Sequence, residues 1–403
     1  MRGALDVERS AAEIAEWVRG DLDAVSDTSE RALREVVLRR VGAAGRERGW
    51  TSGERVAVAE RVMASFRGLD ILEPLVADPE VTEIMVNGPD DVFFEKGGKL
   101  FRYPYKFASR ERLEDVIQSI VGKVNRTVNE AMPIVDARLA DGSRVHAVLP
   151  PVSLRGPALT IRKFPETLIT MDHLLALGAV TREAADYLQA AVSGKRNIFI
   201  SGGTGAGKTT LLNALTMFIP AEERIVVIED SAELRWMPET NVVQLETRQP
   251  NAEGKGEITI RQLLRAALRM RPNRIIVGEV RGAEAIDMLQ AMNTGHEGAL
   301  STGHANSVRD MLYRLETMAL SGSELPIEAI RRQIASSIHL LVHVSRMPDF
   351  SRKVTEIAAL EGWRNGDYSL RPLFTWKGDP DGSGALVAAS DAGNIGCREE
   401  SVC

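Results

Sequence analysis

The hydrophobic pattern changes period along the chain, and each change marks a different kind of structure. Over the first 68 residues apolar side chains recur at helical spacing: Ala11, Ala12, Ile14, Ala15 and Val18, then Leu33, Val36, Val37 and Val41, then Val56, Ala59, Val62, Met63 and Phe66. Asp27-Thr28-Ser29 and Thr51-Ser52-Gly53 lie between these runs as stop and start signals. The stripes predict a helical bundle over residues 1–68, suited to contact with a partner.

From residue 69 the period falls to two. Thr82–Val86, the turn Asn87-Gly88-Pro89-Asp90 and Val92–Glu95 predict a hairpin, and Gly97-Gly98 leads to a further strand at Leu100–Tyr103. A helix is expected near Glu111–Val124, then a second hairpin from Val135–Leu139 through Asp141-Gly142 to Arg144–Val148, and a strand at Leu159–Arg162. Residues 69–165 thus predict a small α+β domain. Phe164-Pro165-Glu166-Thr167 reads as a hinge, and 166–180 as the linker around it. Over 181–376 strands alternate with helices, the pattern of a parallel sheet with covering helices. The strands that stand out are Asn197–Ser201, Ile225–Ile228, Ile275–Val277 and Ala299–Thr302, with helices near 208–218, 259–269, 282–292 and 307–320 between them. After Trp376 the Gly/Asp/Pro-rich stretch opens a tail, 377–403, that lacks any period and is expected to be disordered.

Composition narrows the class. The 403 residues are 44% hydrophobic and 26% charged, ordinary for a globular chain, and suggest two to three domains. Lys+Arg 50 against Asp+Glu 56 gives a net charge of −6, a poor balance for a dedicated nucleic-acid binder. There is no apolar run of membrane-spanning length and no signal-peptide pattern at the start, so a soluble, intracellular protein is expected. Cys397 and Cys403 are the only cysteines, which excludes a disulfide framework and a cysteine zinc site.

The chemistry is concentrated in the third region. Gly202-Gly203-Thr204-Gly205-Ala206-Gly207-Lys208-Thr209-Thr210 fits G-x-x-x-x-G-K-[ST]. Its glycines allow backbone N–H groups to turn inward onto phosphates at a helix N-terminus. Lys208 would reach the β and γ oxygens and the Thr209 hydroxyl would ligate Mg²⁺. The bare pattern arises by chance in roughly one or two of a hundred chains this long. A preceding apolar strand, Ile198-Phe199-Ile200, and a following helical stripe, Leu211, Leu212 and Leu215, favour a nucleoside triphosphate site over a ligand-free turn.

Further ionisable groups lie at predicted strand ends, the edge where open α/β sheets bind ligands. Ile225–Ile228 runs into Glu229-Asp230, Ile275–Gly278 into Glu279, and Ala299–Gly303 ends at His304. Hydrolysis of a terminal phosphate needs Mg²⁺ held by a hydroxyl and an acid, and a carboxylate to orient water. Glu279 is the leading candidate for water and metal, Glu229 the second, with Asp230 and Glu233 behind them. His304, and less so His296, could sense the phosphate or polarise the water. Arg138, Arg144, Arg155 and Arg162 cluster in the α+β domain, where a guanidinium fork could reach the nucleotide. Arg281 could instead bridge subunits or the glutamates.

The segments Gly202–Thr210, Ile228–Leu234, Val277–Gly282 and Thr294–Ser307 occur in the order Walker A, Asp box, Walker B and His box, and together resemble a secretion superfamily ATPase. The run Asp287–Thr294 is most similar to the CpaF/TadA branch, which powers tight-adherence (type IVc) pili. The alternative within the family is a VirB11-like type IV secretion ATPase of conjugation. The resemblance covers residues 69–375. It implies a RecA-like P-loop NTPase domain preceded by a PAS-like α+β domain, in a homo-oligomer expected to be a hexamer. It also implies a cytoplasmic seat at the inner membrane, against the platform proteins of a pilus or secretion machine, and N-domain arginines reaching the ATP. The absence of a four-cysteine insertion argues against the type II branch. A small-molecule phosphotransferase and a nucleotide-gated scaffold are the readings from other classes.

Overall fold

The computed structural model describes residues 2–22, 30–66, 68–124, 126–164, 168–237, 239–251, 254–378 and 384–389. The chain divides into two compact units, Met1–Glu166 and Thr167–Cys403.

In the first unit α1 (Arg2–Leu22), α2 (Glu30–Glu47) and α3 (Ser52–Phe66) close around Ile14, Val18, Val37 and Val62, all fully buried. The helix start at Thr51 is a reciprocal cap: Glu54 accepts from the Thr51 N–H at 2.8 Å while the Thr51 hydroxyl accepts from the Glu54 N–H at 3.3 Å. The other anticipated signal, Asp27-Thr28-Ser29, lies outside the described residues. A 3₁₀ turn, Asp70–Leu72, enters α4 (Glu73–Ala77). Asp70 is buried there and bound by Arg61 at 2.9 Å and Arg112 at 2.7 Å. Those two arginines tie the bundle to the sheet that follows.

That sheet contains β1 (Val81–Asn87), β2 (Val92–Lys96), β3 (Lys99–Arg102), β4 (Ile134–Arg138), β5 (Arg144–Val148) and β6 (Ala158–Arg162). The order is β3-β2-β1-β6-β5-β4, antiparallel throughout. One face packs on Leu113, Val116, Ile117 and Ile120 of α5 (Arg110–Lys123). Period-two alternation predicts this because only one face is covered.

The second unit opens with α6 (Met171–Ala176) and α7 (Arg182–Ser193). The alternating part is β7 (Ile198–Gly202), α8 (Lys208–Thr216), β8 (Ile225–Glu229), β9 (Val242–Glu246), α9 (Ile260–Ala267), β10 (Arg274–Val277), α10 (Glu284–Met292), β11 (Leu300–His304), α11 (Val308–Ser321), α12 (Ile327–Ser337) and β12 (Leu340–Arg346). It ends in β13 (Arg352–Arg364), β14 (Asp367–Gly378) and β15 (Gly384–Ala388). The nine-stranded sheet has the order β15-β14-β13-β12-β7-β11-β10-β8-β9. It is parallel from β12 to β9 and antiparallel from β12 to β15. Apolar layers cover both faces, which is why its central strands read as unbroken apolar runs. Among the described residues no helix is long and apolar enough to cross a membrane.

The structure corrects the sequence reading in three places. The expected linker 166–180 contains α6, capped by Thr170 and anchored by buried Met171 and Leu174; Pro165, Glu166 and Thr167 themselves lie outside the described residues. The parallel sheet has two strands beyond the anticipated four, β9 and β12; β9 is a half-exposed edge, and the apolar run of β12 is interrupted by His343 and ends in Ser345-Arg346. The tail expected to be disordered from 377 instead carries the end of β14 and all of β15. Leu386 anchors β15 in the core opposite Trp376, a single apolar contact too short to register as a period. Residues 379–383 and 390–403 lie outside the description.

Candidate nucleotide site

The phosphate loop leaves the central strand β7 and turns into α8. Gly205 and Gly207 have φ of +69° and +98°, a region that disfavours side chains. Gly202 is fixed by crowding instead, because a Cβ there would stand 2.4 Å from the Val344 carbonyl oxygen of β12. Lys208 opens α8, buried at 7% exposure. Its Nζ donates to the Gly203 carbonyl at 2.9 Å and lies 3.3 Å from His304 Nδ1. Thr209 follows in the first helical turn.

Neighbouring parallel strands end on the same edge, so their last residues converge. His304 closes β11, in register with Gly202. Glu279 follows β10, and Glu229 closes β8. Glu279 Oε2 accepts from Arg281 Nη2 at 2.6 Å and Nε at 2.9 Å. Its Oε1 lies 2.7 Å from His304 Nε2, yet is buried without an aligned hydrogen bond. Burial, and then the Lys208 ammonium, hold the His304 imidazole below the ordinary histidine range, with Glu279 pulling the other way. His304 is thereby kept neutral between a cation and a carboxylate.

The two glutamates differ in environment. Glu229 is 4% exposed, and its Oε1 accepts from the N–H groups of Glu233 at 2.8 Å and Leu234 at 3.1 Å. That oxygen holds the turn after β8, while Glu279 keeps an acceptor open. Asp230 lies 3.6 Å from Arg281 and receives the Thr247 hydroxyl, so Arg281 bridges Glu279 and Asp230. Glu233 enters through its backbone N–H to Glu229. His296 stands apart. It precedes β11 and therefore lies at the amino-terminal edge of the sheet, beside apolar Leu264, Met288 and Met292, and takes no part in this site.

In the first unit Arg138 pairs in register with Arg144, and Arg144 with Arg162, so three arginines occupy one rung across β4, β5 and β6. They share the face opposite Val135, Ala137, Val145, Ala147, Leu159 and Ile161, which are buried. Arg155 is not on that rung; it lies in the loop between β5 and β6.

Two contributors went unnoticed in the sequence. Arg352 begins β13, and its Nε donates to the Gly205 carbonyl at 2.9 Å, bracing the phosphate loop from the side opposite His304. Its segment, Asp349-Phe350-Ser351-Arg352-Lys353, carries no motif, and only the β12–β7 adjacency brings it near. Buried His343 of β12 lies 2.8 Å from the Ser201 hydroxyl, supporting the strand just before the loop. Alternation within β12 could have placed His343 inward, but not opposite Ser201.

The family of type II/IV secretion system proteins matches residues 66–364. A Mycobacterium tuberculosis protein with a provisional conjugal-transfer name is 38% identical over 336 residues, which are 82% of this chain and 94% of that protein. The type IV secretion system protein PtlH of Bordetella pertussis is 35% identical over 302 residues, covering 69% of this chain and 89% of its own length. Among solved structures, the Legionella pneumophila ATPase DotB aligns with a TM-score of 0.52 at 22% identity, over 70% of this chain and 78% of DotB. That likeness concerns the fold, and it agrees with the sheet order in identifying a RecA-like core. The chain belongs to the type II/IV secretion system protein family.

Proposed function

We propose that this protein is a Mg²⁺-dependent ATPase motor of a secretion machine. The observation that carries the reading is the meeting of Lys208, His304 and Glu279 at the mouth of the phosphate loop. In the hydrolytic step a water oxygen attacks the γ-phosphorus as the bond to the β,γ-bridging oxygen breaks. The electron pair leaves with ADP, and the water proton passes to Glu279 and then to the released phosphate. Lys208 balances charge on the β and γ oxygens. Neutral His304 can orient either the water or the γ-phosphate.

The residues present fit Mg²⁺. Thr209 offers a hydroxyl in the first turn of α8, and Glu279 a buried oxygen that has His304 Nε2 at 2.7 Å but no aligned hydrogen bond. Mg²⁺ is commonly held by one or two carboxylates together with substrate phosphates and water. The ion would neutralise charge developing on the phosphates.

The relatives named for conjugal transfer and type IV secretion support the type IV secretion branch. The tight-adherence pilus branch is the second reading, supported by the Asp287–Thr294 run. Neighbouring genes separate them, a pilin gene favouring the pilus. The reading includes a ring-shaped homo-oligomer, expected to be a hexamer, seated against inner-membrane platform proteins from the cytoplasmic side. Arg138, Arg144 and Arg162, which share one rung of the first unit, remain the candidates for reaching the nucleotide, because a guanidinium fork matches phosphate oxygens. Arg155 stays a weaker candidate. Phosphate release from Mg-ATP by the purified chain, abolished by Lys208→Ala, tests the ATPase; label moving from ATP to a metabolite would make it a phosphotransferase instead.

A further inference from the structure

A cavity of about 530 Å³ opens off the phosphate loop, bounded by Gly203 and Thr204, by His304, and by Asp310, Tyr313 and Arg314 of α11. Its position decides which end of a nucleotide it meets. Lys208, the ligand of β and γ oxygens in such loops, leans on Gly203 and His304, which are walls of this cavity. The other flank of the loop, at Gly205 and Gly207, is covered by Arg352. A triphosphate cradled here therefore brings its terminal phosphate to the cavity and its nucleoside toward the β13 side.

Arg314 is the cation of this chamber. It lies one turn beyond Asp310, so both project from the same face of α11. The other polar side chains of the helix are engaged in structure: Arg309 and Tyr313 bind Asp367, and Glu316 receives Arg331 and the Tyr368 hydroxyl. Arg314 is exposed and, among the described residues, has no ion-pair partner. It is near enough to His304 for its charge to help hold that imidazole neutral.

We propose that this cavity receives the terminal phosphate, and that Arg314, from the same unit as the phosphate loop, binds that phosphate directly. A guanidinium fork matches phosphate oxygens, and a cation there meets the charge that spreads over the γ-phosphoryl in the transition state. Asp310, across the same space, opposes retention of the product phosphate. The inference rests on the nucleotide reading above.

The test is calorimetric binding of Mg-ADP, with and without beryllium fluoride as the γ-phosphate mimic, to the full chain and its Arg314→Ala and Arg314→Lys variants. Wild type is expected to bind the fluoride complex at least about tenfold more tightly than ADP alone. Arg314→Ala should keep ADP affinity within about threefold and lose most of the fluoride gain, and Arg314→Lys should recover part of it. The full gain in Arg314→Ala, or no gain in wild type that binds ADP, overturns the chamber alone. Failure of wild type to bind ADP overturns the nucleotide reading itself.

Discussion

The two edges of the parallel sheet use their buried polar side chains in different ways. At the amino-terminal edge the buried side chains of Asn197 and Arg274 find partners for their donors and acceptors. Asn197, just before β7, accepts from the N–H groups of Gly298 at 2.8 Å and Ala299 at 3.0 Å and donates to the Ser337 carbonyl at 2.6 Å. Fully buried Arg274 meets Glu223 at 2.7 and 3.0 Å and the Val192 carbonyl at 2.7 Å. At the carboxyl-terminal edge Lys208 stands against a histidine, and Glu279 has a buried oxygen without a hydrogen bond. Satisfied polar groups hold a fold, whereas groups left short keep capacity for a ligand. The same strand geometry makes one edge a brace and the other a site.

The comparison breaks most visibly at Arg274. Arg274→Met removes the two-pronged partner of Glu223, leaving only Lys195 at 3.7 Å, and should cost about 3 kcal/mol in denaturant titration, with nucleotide affinity of the folded fraction unchanged. At the opposite edge Lys208→Ala should lower nucleotide affinity about a hundredfold while folding stability moves by less than about 1 kcal/mol. Removing that ammonium also lifts a charge that depresses His304, so the imidazole should titrate higher in proton NMR. Glu279→Gln should retain ATP binding and slow steady-state turnover about a hundredfold or more; unchanged turnover would remove Glu279 from the chemistry.

How much of this was legible in the sequence follows from range. The phosphate loop and the acids ending strands are local signals, because a buried strand and the residue after it are contiguous. The covering helices are legible for the same reason. Arg352 and His343 were not, since 147 residues separate Arg352 from Gly205 and 142 separate His343 from Ser201. His296 misled because its Gly-flanked loop resembles the one at His304, and only strand direction assigns it to the far edge. The sequence ranks Glu229 second to Glu279 but does not divide their roles, which takes the turn after β8 that occupies a Glu229 oxygen. Strand β15 was hidden because one leucine has no period.

Acid should act on both edges with a defined sign. Burial, as the first cause, holds His304, His339 and His343 below the ordinary histidine range. The unfolded chain then binds more protons than the folded one as pH falls below about 6.5, so stability present above that pH declines below it. Glu223 is held below the ordinary carboxylate range by the Arg274 hydrogen bonds, and its contribution is lost further into acid. Arg274→Met should shrink that lower step, since Lys195 still faces Glu223, and leave the histidine step. Equilibrium unfolding from about pH 8 down to about pH 2 checks both. The smallest effect is expected at Arg352: Arg352→Ala removes one hydrogen bond to the phosphate loop, worth about 1 kcal/mol, and should weaken nucleotide binding about fivefold in the same calorimetry.

The most direct measurement is a crystal structure of the full chain with Mg²⁺ and a non-hydrolysable ATP analogue. The terminal phosphate is expected within hydrogen-bonding distance of Lys208 Nζ, with Glu279 and His304 around it. An analogue bound elsewhere, with Glu279 still closed onto Arg281 and the loop empty, would contradict the account.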